Sequence, residues 1–145
     1  MRLPTWLVYA LLSALCASFV AIFGKVGMRD VDSTLATAVR SLIMTLFLLV
    51  MCSFMGLFSK LSALTPRPLI MIILSGLAGA LSWLFYFRAI QLGSVSQVAP
   101  IDKLSMPLAV LLAVLILQER PSAINWFGIG LIAAGAYLAA IPRPG

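Results

Sequence analysis

Five stretches of about 20 apolar residues, set apart by short polar connections, constrain this chain more than any other feature. They run over residues 6–24, 33–55, 68–90, 95–117 and 123–141. As a helix, a run of that length crosses the ~30 Å hydrocarbon core of a bilayer. None alternates polar and apolar side chains as a membrane β-strand must. The connections at 25–32, 59–67, 91–94 and 118–122 hold most of the charges and turn-forming residues. Helix starts are marked where the runs begin. Asp32 or Ser33 can cap the second, Thr65 with Pro66 can open the third, and Ser122 can cap the fifth. Two prolines in the tail IPRPG close the last. The predicted fold is an all-α integral membrane protein, one domain over residues 1–145 with five transmembrane helices.

The first run invites comparison with a signal peptide. Its apolar stretch continues through Phe23, beyond a typical signal core, and Leu15 rather than a small residue precedes Cys16. A retained first helix is expected. Only 10% of residues are charged, against about 25% in soluble domains. The net charge of +6 comes from ten scattered lysines and arginines. They form no basic patch, which argues against nucleic acid as a partner. The chain has no histidine, so hydrolytic triads built on His are excluded and the commonest metal ligand is missing. Cys16 and Cys52 lie inside apolar runs without metal or disulfide spacing and are expected as small buried side chains. No nucleophile–base pair is visible. The expectation is no enzyme, no metal and no cofactor.

The cations are balanced across the membrane. With five spans, Arg2, Lys60, Arg67 and Arg120 share one side, and Lys25, Arg29, Arg88 and Arg143 share the other. The positive-inside rule then gives no strong bias. Either the chain inserts both ways up, or its N-terminus or one loop decides. Two opposite copies of a five-helix chain would form an inverted pair, a common transporter architecture. Small residues spaced for close helix contact lie at Ser75, Gly76, Gly79 and Ala80, at Gly130 with Ala134, and at Ala136 with Ala140. They suit either a dimer seam or contact within one chain.

Three charges fall well inside the apolar runs, Arg40, Asp102 and Lys103, while Arg88 lies near the end of its run. Each costs about 2.5–3.5 kcal/mol at a helix centre, so each is expected to face protein or water. On a continuous helix, Ser96, Pro100, Lys103 and Pro107 share one face. Asp102 falls with Ala99, Met106, Ala109 and Ala113 on another, about 100° away, which makes Asp102 and Lys103 poor partners. Pro100 and Pro107 deprive the Ser96 and Lys103 carbonyls of their helical donors. Ser96, Pro100, Lys103 and Pro107 are therefore the candidate substrate-binding face, with Lys103 attracting a carboxylate or phosphate. Asp102 and Arg40 are the candidate gating or structural pair. One internal cluster of all three charges is the alternative. Trp83, Phe85, Tyr86 and Phe87 could line an apolar pocket or simply face lipid.

Four features stand in order along residues 87–138: Ala89-Ile90-Gln91-Leu92-Gly93, Ala99-Pro100, Leu117-Gln118-Glu119 and the run from Gly128 to Gly135. With them this stretch resembles the second part of an EamA domain of the drug/metabolite transporter superfamily. Arg40 sits where the family often has an arginine in its second helix. The resemblance implies a half-transporter bundle that pairs with a second copy and moves small metabolites. The related small multidrug resistance proteins use a glutamate in the first helix, and none stands there in this chain. The expected function is a small-metabolite exporter or exchanger, working as an antiparallel homodimer by alternating access. Its substrate would be a small molecule, anionic or zwitterionic, and its place the inner (plasma) membrane of a bacterium. The alternatives are a flippase or scramblase for a phosphate-bearing lipid and a non-transporting accessory protein.

Overall fold

In a computed structural model, residues 4–141 are described. Arg2, Arg143 and the two prolines of the tail lie outside them. The described residues form six α-helices and one 3-10 helix. Helix α1 is Thr5–Gly27, α2 is Ser33–Phe54 and α3 is Pro66–Leu92. The fourth span is made of two pieces, α4 (Val95–Asp102) and α5 (Ser105–Leu117), and α6 is Ala123–Ala140. A 3-10 helix over Leu57–Ala63 occupies part of the connection predicted as a loop. Five candidate membrane spans result, Val95–Leu117 counting as one. At 1.5 Å per residue they are about 27 to 40 Å long, enough to cross a bilayer.

The ends follow from local chemistry. Asp32 caps α2, its Oδ1 accepting from the backbone N–H of Thr34 at 2.8 Å and of Leu35 at 3.2 Å. Those two N–H groups, Leu35 first, hold the Asp32 carboxyl below its ordinary range. Ser122 caps α6 by accepting from Asn125 N–H at 3.4 Å. Beyond α2 the chain turns through Gly56 at φ +64°, a left-handed conformation open to glycine without a Cβ penalty. Gln118, at φ 58°, plays that part after α5 and returns its side-chain amide to the Leu115 carbonyl at 3.0 Å.

The described residues divide into two compact units. One holds the chain up to Lys25 and from Leu92 onward; the other is Val26–Gln91. In the first, α4 and α5 both pack on α6, Ala21 and Ala136 are buried, and Lys25 Nζ donates to the Gly93 carbonyl at 2.9 Å. In the second, Met28, Phe87, Ile90, Ser33 and Thr37 are buried. Gln91 holds the connection before α2, its amide nitrogen donating to the Val31 carbonyl at 3.0 Å and the Met28 carbonyl at 3.4 Å. Its oxygen accepts from Arg88 at 2.9 Å. No span has more than two buried residues. Helices apolar all round, with so little protein cover, need lipid or another chain as their solvent. Cys16, expected to be buried, is exposed on α1 for this reason, and Cys52 is half-buried. The small-residue stripes are open too: a Cβ at Gly76, Gly79 or Gly130 would meet nothing within 4 Å.

Candidate functional site

The fourth span breaks near its middle, and the cause lies one turn further on. Pro107 has no N–H to give the Lys103 carbonyl, and its ring crowds that carbonyl in a regular helix. The chain responds by tightening. Lys103 N–H bonds to Pro100 O, Leu104 N–H to Ile101 O and Met106 N–H to Lys103 O, each at 3.0 Å. These are i→i−3 bonds, and α-helix resumes when Leu104 O accepts from Leu108 N–H at 3.3 Å. Pro107 therefore stands in the first turn of α5, where a missing N–H is tolerated.

Two expectations change as a result. The Lys103 carbonyl is not free, because Met106 serves it. Asp102 and Lys103 are not poor partners either: Lys103 Nζ donates to Asp102 Oδ2 at 3.2 Å. The 100° separation holds only on an unbroken helix, and the break falls at these residues. The pair is open, with side-chain exposures of 54% for Lys103 and 32% for Asp102. Pro100 and Pro107 are half-buried nearby in sequence, and Ser96 is exposed. At the head of α4, the Ser96 and Ser94 hydroxyls lie 3.1 Å apart, and Ser94 also donates to Gln97 Oε1 at 2.8 Å.

The second unit holds a different arrangement. The Arg40 guanidinium on α2 lies over the Trp83 ring at 3.8 Å and the Phe87 ring at 4.6 Å, both on α3. Trp83 and Phe87 are four residues apart, hence on one helix face, and their rings stack at 5.4 Å. Tyr86 packs edge-on against both, while Phe85 is 72% exposed. The Arg40 Nε and Nη2 atoms are buried with no hydrogen-bond partner among the described residues. Cation–π stacking contributes about 2 kcal/mol when desolvated. Two orphaned donors on a charged group cost about 1–3 kcal/mol each, or more. Stacking alone does not offset that cost. The sequence pointed to all four aromatics without separating them. The signal that could have done so is the i, i+4 spacing of Trp83 and Phe87 together with a cation inside the neighbouring span.

Elsewhere, an open groove of about 460 Å³ is lined by Val110, Glu119, Arg120, Pro121, Asn125 and Ile129. None of the predicted site residues lines it. Among the described residues no group of three or more His, Cys, Asp or Glu side chains could hold a metal ion.

The family model described as the EamA-like transporter family matches residues 4–141. The chain belongs to that family. It is also similar to a Sinorhizobium sp. protein named "Uncharacterized transporter in cobO 3'region", with 40% identity over 137 residues, 94% of this chain and 97% of the relative. No solved structure matches. The membrane bundle expected from the sequence is thus that of an EamA-family transporter, and the broken fourth span and the stacked arginine are features of its transmembrane body.

Proposed function

We propose that this transporter is a small-metabolite exporter or exchanger of the bacterial inner membrane, working as an antiparallel homodimer by alternating access. The observation that carries this reading is the break at Lys103 and Leu104, close to the middle of a 23-residue span. Transporters commonly build their sites at the midplane from discontinuous helices, and irregular backbone at that depth is tolerated only against protein or a water-filled cavity. Lys103, Ser96, Pro100 and Pro107 line the pathway in this reading. Lys103 leaves the exposed Asp102 carboxylate to meet an anionic or zwitterionic substrate. The balanced cations support insertion in both orientations. The open glycine stripes of α3 and α6 support a seam with a second copy.

Two experiments test this. In proteoliposomes, Lys103→Gln should abolish counterflow of a labelled panel of amino acids and carboxylates. Helix content and melting should stay unchanged, since an exposed pair contributes at most about 1 kcal/mol. Normal flux would refute the pathway role. A cysteine introduced at Lys60, on a background lacking Cys16 and Cys52, should be labelled from both sides of the membrane. Labelling from one side only would refute the antiparallel pair.

A further inference from the structure

We propose that the Nε–Nη2 edge of Arg40 is an oxyanion receptor, taking a carboxylate or phosphate group of the transported solute through two parallel hydrogen bonds. Trp83 and Phe87 are the positioning residues that hold the guanidinium plane. The proposal rests on the transporter reading and adds the chemistry of recognition to it. Nε–H and the outer Nη2–H point the same way along one side of the guanidinium, the edge that matches a carboxylate or phosphate bidentately. Neither has a partner among the described residues. The aromatic rings take the face of the group and leave the edge to something else. The nearby hydroxyls do not serve the edge: Thr37 and Ser41 donate to the Ser33 and Thr37 carbonyls, and neither accepts from Nε or Nη2.

The chain offers few anions of its own. It has four carboxylates. Asp32 caps α2, Asp102 is held by Lys103, Asp30 is exposed in the connection before α2, and Glu119 is exposed after α5. Water is a poor substitute, because it needs two to four polar partners and the known walls here are aromatic. Arg40 is the eighth residue of α2, about 10 Å inside the span, deeper than a lipid phosphate. The two edge nitrogens are buried although Arg40 as a whole is half-buried. A solute enters only when the covering segments move, as an alternating-access cycle requires.

The test uses the full chain in neutral detergent, with Trp6→Phe and Trp126→Phe leaving Trp83 as the fluorescent reporter. Inorganic phosphate and acetate are titrated against chloride at matched ionic strength. The expected result is a saturable change in Trp83 emission with phosphate or acetate and none with chloride. Arg40→Gln should abolish it. Arg40→Lys, which keeps the charge but loses the fork, should weaken it about tenfold or more; this variant carries the test if Arg40→Gln does not fold. Phe87→Leu should weaken binding several-fold while keeping the preference over chloride. A response equal to that of chloride, or one that survives Arg40→Gln, overturns the proposal. A response seen only with phosphatidylglycerol vesicles, and not with phosphatidylcholine vesicles or soluble oxyanions, gives the edge to a lipid headgroup and also overturns it. Stability coupling between Arg40→Gln and Asp102→Asn, without any oxyanion response, gives the edge to Asp102 with the same consequence. Oxyanion binding without flux of any solute refutes the transporter reading and leaves the receptor standing. Flux without oxyanion binding does the reverse.

Discussion

Replacing Pro107 with alanine should make the protein more stable and less active. Alanine restores the N–H that the Lys103 carbonyl lacks, so that carbonyl can exchange its bond from Met106 for a regular i→i−4 bond. The tightened turn at Lys103 and Leu104 can then relax, and α4 and α5 can fuse into one helix over Val95–Leu117. Proline costs about 3 kcal/mol relative to alanine in a helix that must run straight through it. Here the chain has already satisfied the Lys103 carbonyl and spread the strain over three i→i−3 bonds. The gain is therefore nearer one hydrogen bond, about 1 kcal/mol, with about 3 kcal/mol as the upper limit. Fusion also restores the 100° step between adjacent residues, so the 3.2 Å contact between Lys103 and Asp102 should open, because i, i+1 side chains do not face each other. Thermal melting of the purified protein reads the stability. Hydrogen exchange of a peptide covering residues 100–110 reads the fusion, slowing about tenfold for each 1.4 kcal/mol of added local stability. Flux should fall at least tenfold if the break serves transport. A variant that is less stable than the parent, or whose 100–110 peptide exchanges as fast, would refute the account of how Pro107 breaks the span.

Asp32→Asn should alter acid sensitivity. The Asp32 carboxyl is held below its ordinary value of 3.8, so its capping contribution is complete above about pH 4 and drains away as pH falls through the lower folded value. Asparagine keeps an acceptor at the cap, so the melting temperature of the variant should fall less steeply below about pH 4 than that of the parent. Gly56→Ala should destabilise by about 1 kcal/mol. A Cβ there meets nothing within 4 Å and only the positive φ resists it, so chemical denaturation should show the loss with no change in helix content. Trp83→Leu should cost about 2 kcal/mol, the stacking of a desolvated guanidinium, and Arg40→Leu should cancel much of that cost in a double-mutant cycle read by thermal melting.

The spans were legible because their determinants are local. A run of about 20 apolar residues followed by Lys25, or preceded by Asp32, Thr65-Pro66 or Ser122, needs no tertiary contact to start and stop where it does. Each span boundary lies within a few residues of its expected place. The 3-10 helix over Leu57–Ala63 was not legible, since a seven-residue segment of mixed polarity is too short to show a period. In the fourth span the prolines were visible but their effect was misplaced. Phase counted along an ideal helix put Asp102 and Lys103 apart, whereas the turn forced by Pro107 brings them together. Arg40 could be singled out as a costly charge, yet nothing in the linear sequence brought Trp83 and Phe87 to its face.

That this chain is a five-span α-helical membrane protein follows from length, hydropathy and caps, all local quantities. What the charges inside the spans meet follows instead from contacts between residues far apart in the chain. A guanidinium can satisfy its face and its edge separately, and only the folded chain shows that Trp83 and Phe87 cover the face of Arg40 while the edge has no partner among the described residues.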